Sequence, residues 1–292
     1  MAVIAPDIKR GAMIFTMFVY RSQEVILMQA GVSTACLYPE LLEESIYRLA
    51  VNGVENIEIF VNTSSELKKK YACSIADMLK RFDVRCCAVH PYTSEMEQLL
   101  LFSDYERRFE DAIEFHKRYF SFMNTVGAEI FVLHGSKANQ PAEFFCERYS
   151  RIYRVGQEFG VKVALENVVR CRSGSSAFVR EAAGMLGDEF AFVLDTKQAV
   201  RAHENPFTFL DAAGSRVAHI HASDNGELGD CLLIGKGRFR FRQFFDKLST
   251  INPDVNVILE LYRSSFGGIS DLVSSYNVLV NMTEHYGKEA EK

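Results

Sequence analysis

The sequence predicts an α/β protein folded as a single closed (β/α)8 TIM barrel, and three observations carry that expectation. One alternation, a short apolar strand, a polar corner and an amphipathic helix, recurs eight times from Gln29 onward. The strands are apolar on both faces, as a parallel sheet covered by helices requires. No Pro-, Gly- or Ser-rich linker, charge block or low-complexity tract divides the chain. Eight uninterrupted units favour a closed barrel over an open doubly wound sheet. No G-x-G-x-x-G follows the first strand, so a dinucleotide-binding version of the open sheet loses its main support.

In order, the strands read AGVSTACLY (30–38), NIEIFVN (56–62), VRCCAVH (84–90) and AEIFVLHG (128–135). They continue with VKVALEN (161–167), FAFVLD (190–195), VAHIHAS (217–223) and NVILELY (256–262). Helix signals stand between them. Thr63 with Glu66 and Ser103 with Glu106 have capping-box spacing. Pro39, Pro141 and Pro206 stand where a first helical residue would, with φ already set. Over 104–127, Tyr105, Phe109, Ala112, Ile113, Phe120 and Met123 follow a 3.6-residue period, and Gly127 ends the helix.

The N-terminal stretch MIFTMFVYRSQEVILM (13–28) is apolar in part, but Arg21 and Glu24 interrupt it before a membrane span is complete. No small-residue cleavage site follows it. Residues 1–27 are read as an extension, upstream of the true start if synthesis begins at Met28, and residues 28–292 as the barrel domain. A net charge of −5 and a pI near 5.9 leave no electrostatic footprint for nucleic acid. Seven cysteines without a C-x-x-C form neither a disulfide framework nor a zinc knuckle. Adjacent Cys86 and Cys87 read as small hydrophobes, and a reducing cytoplasm is the expected compartment.

In such a barrel the reactive groups gather at the C-terminal ends of the strands. There the third strand carries His90, the fourth His134, the fifth Glu166 and the sixth Asp195. The seventh holds His219 and His221, alternating with Ala218 and Ile220 and so on one face, and the eighth ends with Glu260. Taken singly, a strand-end carboxylate is more often a turn or cap residue, and a lone histidine a hydrogen-bonded core residue. Six consecutive strands ending this way are not six accidents. Glu, Asp, His and Glu form an oxygen-rich set with one nitrogen donor, which suits a divalent ion such as Mn2+, Co2+, Zn2+ or Mg2+. Three carboxylates round one pocket also repel without a cation. Four protein ligands would leave open positions on such an ion, as a catalytic site needs.

From Gln29 to about Met282 the chain resembles the sugar isomerase/epimerase group of the xylose isomerase-like barrel superfamily. That group includes ketose 3-epimerases, hydroxypyruvate isomerase, inosose dehydratase and, more distantly, endonuclease IV. The likeness rests on ALEN (164–167), VLDT (193–196), HIHASD (219–224), GKGRFRF (235–241) and LELY (259–262). The resemblance implies one divalent metal on Glu166, Asp195, His221 and Glu260, with Glu166 and Glu260 also exchanging protons with substrate. It further implies a small carbohydrate substrate and a homo-oligomer, while the interrupted N-terminal stretch leaves no membrane partner expected. One departure matters: the family pattern D-x-x-H places a histidine three residues after the strand-six Asp, and here that residue is Gln198. An amide can hydrogen-bond but cannot shuttle a proton and is a poor ligand. The further Asp-x-His that endonuclease IV needs for its three zinc ions is also missing, which counts against a phosphodiesterase.

The expectation is therefore a metal-dependent isomerase or epimerase of a small sugar or sugar derivative, working through an enediolate. An inosose-type dehydratase is the nearest alternative. His90, His134 and Gln198 are candidates for holding substrate hydroxyls. Lys137, Lys197 and Lys236 are candidates for a phosphate or carboxylate, though each reads first as a solvated side chain.

Overall fold

The structure, a computed structural model, describes residues 28–288; the extension expected at 1–27 lies outside the described residues. Its barrel strands are β1 (Gln29–Ser33), β2 (Asn56–Val61), β3 (Arg85–Pro91), β4 (Ile130–Leu133), β5 (Lys162–Glu166), β6 (Phe192–Asp195), β7 (Val217–Ala222) and β10 (Asn256–Leu259). All pair in parallel, and β10 lies between β7 and β1, which closes the ring. Strands such as VALE in β5 and FVLD in β6 are buried along their whole length, as the two-sided apolar pattern requires.

The helices are α1 (Leu42–Val51), α2 (Lys69–Phe82), α3 (Glu106–Val126), α4 (Ala142–Glu158), α5 (Ser176–Leu186), α6 (Thr196–Arg201), α7 (Pro206–Ala213), α8 (Phe241–Ile251) and α9 (Ile269–Lys288). None among the described residues is long and apolar enough to cross a membrane. On α3 the predicted face holds: Phe109, Ala112, Ile113, Phe120 and Met123 are buried, and Gly127 ends the helix at φ +79°. Tyr105, by contrast, lies one residue outside the helix and is exposed.

Several local signals were used differently from the expectation. Pro206 is the first residue of α7, behind an Asn205 side chain that accepts the Phe207 N–H. Pro141 stands one residue before α4, and Pro39 lies in the turn before α1, which starts at Leu42. Glu66 accepts the Asn62 N–H at 2.6 Å within a turn that ends before α2 begins. Ser103 accepts the Tyr105 N–H, while Glu106 turns outward to Arg148 and Arg151. The S/T-x-x-E spacing suits any tight turn with free amides, so it marks a corner without fixing which residue starts the helix.

A two-stranded hairpin, β8 (Asp224–Gly226) and β9 (Gly229–Leu232), follows β7 and was not expected. Asp224 organises it. Its Oδ1 accepts the N–H groups of Asn225 and Phe239, and its Oδ2 those of Gly235 and Gly237, at 2.8–2.9 Å. A Cβ on Gly237 would lie 2.3 Å from the Asn225 carbonyl oxygen, so only glycine fits that approach. The HASD and GKG segments thus meet as one loop closure. All seven cysteines are free, and burial pushes the Cys86 thiol up to about 12, as fits inert small hydrophobes.

Candidate active site

Parallel strands end on one side, so their terminal residues meet at one mouth of the barrel. Glu166 is the last residue of β5 and Asp195 the last of β6; Glu260 follows β10 directly. His221 lies in β7 and points inward between them. Its Nδ1 is 3.0 Å from Glu166 Oε1, 3.5 Å from Glu260 Oε2 and 4.0 Å from Asp195 Oδ2. One ligand atom from each of these four residues falls within 4.8 Å of the others. The fold therefore brings together the four residues singled out as ligands, from positions 94 apart in sequence at the extremes (260 − 166).

The residues beneath and beside this cluster fix its orientation. Glu58, in the middle of β2 and fully buried, accepts hydrogen bonds at Oε2 from His221 Nε2 at 3.0 Å and from His219 Nε2 at 3.1 Å. Ser33 Oγ donates to its other oxygen. A carboxylate behind an imidazole leaves the opposite ring nitrogen aimed at the pocket, which is how metal-ligating histidines are commonly held. Asn167 grips the backbone of Asp195 from both sides: its Oδ1 accepts the Asp195 N–H at 2.6 Å and its Nδ2 donates to the Asp195 carbonyl at 2.9 Å. Asp195 Oδ1 in turn accepts the Gln198 N–H and caps α6.

On the other side, His134 Nε2 lies 2.9 Å from Glu166 Oε2 and 3.0 Å from His90 Nε2. His90 Nδ1 donates to the Pro91 carbonyl, which leaves its Nε2 as the acceptor for His134. Burial opposes charge on His134, but Glu166 outweighs it and raises its pKa; burial and His134 together lower that of His90. Glu166 is buried, yet the neighbouring His134 and His221 hold it well below the usual carboxylate range. Burial pushes Asp195 up to about 6, with Lys197 working against the shift and Glu166 and Glu260 adding to it. Glu97, buried in the turn Ser94–Leu99, accepts the Gly135 N–H at 2.6 Å and is pushed by burial up to about 8.

A cavity of about 260 Å3 opens onto this cluster, lined among others by Phe60, His90, His134, Glu166, Gln198 and Glu260. The Gln198 side chain also accepts the Val169 N–H through Oε1. Lys137 pairs with Glu95 at the rim and Lys236 is exposed. Lys197 departs from the expectation: its side chain is only 4% exposed, with Nζ 2.9 Å from Asp195 Oδ2 and 2.8 Å from Glu260 Oε2. Carboxylates from two strands supply the counter-charge that makes its burial tolerable.

Sequence reasoning missed three residues here. Glu58 sits mid-strand, where only a carboxylate inside a two-sided apolar run could have signalled it. Lys197 was taken for a surface residue, and Asn167 was part of a quoted motif without a role.

The donor set fits a divalent ion. Glu166 Oε2 and Asp195 Oδ2 are buried near their cationic neighbours without a hydrogen bond of good direction, so both retain free lone pairs. His221 Nδ1 faces them with its tautomer set by Glu58. The ammonium of Lys197 touches two of the same carboxylates.

A closed parallel barrel with an acid–imidazole cluster at its C-terminal mouth is the class of protein that fold and site define. The chain belongs to the xylose isomerase-like TIM barrel family, whose model matches residues 46–281. It is similar over 93% of its length to the uncharacterized protein MJ1311 of Methanocaldococcus jannaschii, at 25% identity and 95% coverage of that protein. In three dimensions it is similar to a D-tagatose 3-epimerase-like protein, with a TM-score of 0.73, 22% identity, and coverage of 90% of this chain and 100% of that one. It is also similar to the probable 3-DHS dehydratase AsbF from Bacillus anthracis, with a TM-score of 0.68, 14% identity, and coverage of 86% and 98%.

Proposed function

We propose that the protein is an isomerase or epimerase of a small sugar or sugar derivative, acting by proton transfer at the carbon next to a carbonyl. The observation that carries this reading is the convergence of Glu166, Asp195, His221 and Glu260 beside a cavity of sugar size. The likeness to a D-tagatose 3-epimerase-like protein supports the substrate class. When bound, a divalent ion held by those four residues would polarise the carbonyl and stabilise negative charge on its oxygen.

The chain's own residues supply the rest. Glu166 ends β5 and Glu260 follows β10, with β6 and β7 between those strands, and both are charged at neutral pH; one removes the α-proton and the other returns it. Glu260, at 14% exposure, is the more open to the cavity. His134, hydrogen-bonded to His90, holds Glu166 in place and keeps it ionised. His90 and Gln198 line the cavity where sugar hydroxyls would lie.

The test is solvent exchange. Ketoses, ketose phosphates and inososes are incubated in D2O with the protein and Mn2+, and α-deuteration and epimer formation are followed by NMR. Glu260→Gln, with metal content checked, should lower the rate by about 10²- to 10⁴-fold. A full rate in that variant would remove Glu260 from the mechanism. A product lighter by one water would identify a dehydratase, and no deuteration of any substrate would refute the reading.

A further inference from the structure

The position of Lys197 is set by chain geometry close to the cluster. Asp195 ends β6 and caps α6, so the helix turns back over the mouth at once and its second residue, Lys197, reaches down into it. The side chain passes the ring of Tyr262, with Nζ 5.2 Å from its centroid, and ends between Asp195 and Glu260. A buried ammonium persists only where opposite charge surrounds it. Here it bridges two carboxylates that belong to the four-residue cluster.

Those carboxylates are also half of the donor set for a divalent ion. Zinc, for instance, would sit about 2.0–2.2 Å from each carboxylate oxygen. An ammonium that already lies 2.8–2.9 Å from Asp195 Oδ2 and Glu260 Oε2 fills the space on the pocket side of both. Both cations would draw on the same two oxygens, and each would repel the other across a few ångströms of poorly solvated pocket. Neither His90 nor His134 competes in this way, because their contacts lie on the Glu166 side.

We propose that Lys197 and a divalent cation are alternative occupants of this cluster. Lys197 is the internal counter-ion that draws Asp195 and Glu260 together, and a divalent ion enters only by displacing it. The inference rests on reading the cluster as a cation site, as in the proposed function, but it is independent of which substrate is turned over. A purely positioning role for Lys197 would leave the cluster's affinity for a cation untouched, and the binding measurement below separates the two.

The test uses the full chain and Mn2+ alone, without sugar. Mn2+ affinity is measured by calorimetry or electron paramagnetic resonance for the wild type, Lys197→Met and Lys197→Arg. Lys197→Met keeps the length and apolar stem but removes the charge, and should bind Mn2+ at least tenfold more tightly than the wild type. Lys197→Arg restores the charge and should bind as weakly as the wild type. Adding Asp195→Asn to Lys197→Met should abolish the gain, which ties it to this cluster. Equal or weaker binding in Lys197→Met, no binding in either protein, or a gain that survives Asp195→Asn overturns the proposal. If Lys197→Met does not fold, crystals of the wild type soaked in Mn2+ decide it: Nζ should have left both carboxylates, and an ion bound with Nζ still on both refutes it. Failure of every sugar assay would leave this outcome unchanged, so the two readings fail separately.

Discussion

The two mouths of the barrel are both polar, and they are built differently. At the N-terminal mouth, Arg85 Nη1 donates to Asn256 Oδ1 and to Gln29, and Asn56 Nδ2 donates to the same Asn256 oxygen at 3.2 Å. The hollow there is about 820 Å3 and has no histidine in its lining. The C-terminal mouth opens on only about 260 Å3, yet four carboxylates (Glu58, Glu166, Asp195 and Glu260), two imidazole pairs and an ammonium stand in or under it. Size does not locate the chemistry. Opposed charges brought out of water mark the candidate site, because they are costly to bury and cluster at functional sites.

The largest effect expected from breaking this contrast comes from Glu58. Glu58→Ala leaves Ser33, His219 and His221 without their shared acceptor in a buried place. Removing one partner of a buried charged set costs about 3–5 kcal/mol, which urea unfolding will read. A loss below about 1 kcal/mol would mean that the two histidines find each other and that Glu58 is not the base of the site.

A pH dependence comes next. Glu97 is held up to about 8 by burial, whereas a free glutamate titrates near 4.5. Below 4.5 it is protonated in both states; between 4.5 and 8 the folded protein keeps a proton that the unfolded chain has released. Its contribution to stability is therefore fully present at low pH and is lost as pH rises through this window, by a few kcal/mol at about 1.4 kcal/mol per unit. Unfolding of wild type and Glu97→Gln at pH 5 and pH 8 checks the sign: the variant should lose less stability between them. An equal loss in both proteins would place the titration elsewhere.

The smallest effect belongs to the other mouth. Arg85 is exposed, and Arg85→Ala removes hydrogen bonds worth about 0.5–1.5 kcal/mol. Deuterium exchange into substrate should not change. A fall in exchange comparable to that of Glu260→Gln would erase the distinction between the mouths.

The barrel was legible because its signals are local and repeated. Two-sided apolar strands, proline and glycine corners and helix faces each depend on a few neighbouring residues, and their eightfold recurrence makes up for errors at single caps such as Pro39 and Thr63. Glu166, Asp195 and Glu260 were legible because a charge that ends an apolar run stands out, whereas His221, inside β7 beside His219, was singled out by the resemblance. Glu58 did not stand out, since its partners lie 161 and 163 residues away and nothing near it announces them. Lys197 was misread for the same reason: its second carboxylate is 63 residues distant, and without it a lysine after a strand belongs in water. The hairpin escaped because its strands, DNG and GDCL, carry no apolar run like IFVL or FVLD.

Asp224 shows what such a short element does for the molecule's motions. Four amides of the excursion from Asn225 to Phe239 converge on one carboxylate, two on each oxygen. Protection of those amides is therefore a shared property: none can open far while the other three hold the side chain in place. Their protons are expected to exchange with solvent together, in an opening smaller than global unfolding. The barrel strands beneath need not take part. The rim beside the site is thus tied down by Asp224 together with the Arg238–Asn225 backbone bond, the Ile234 N–H on Ser275 and the Arg201–Asp230 pair.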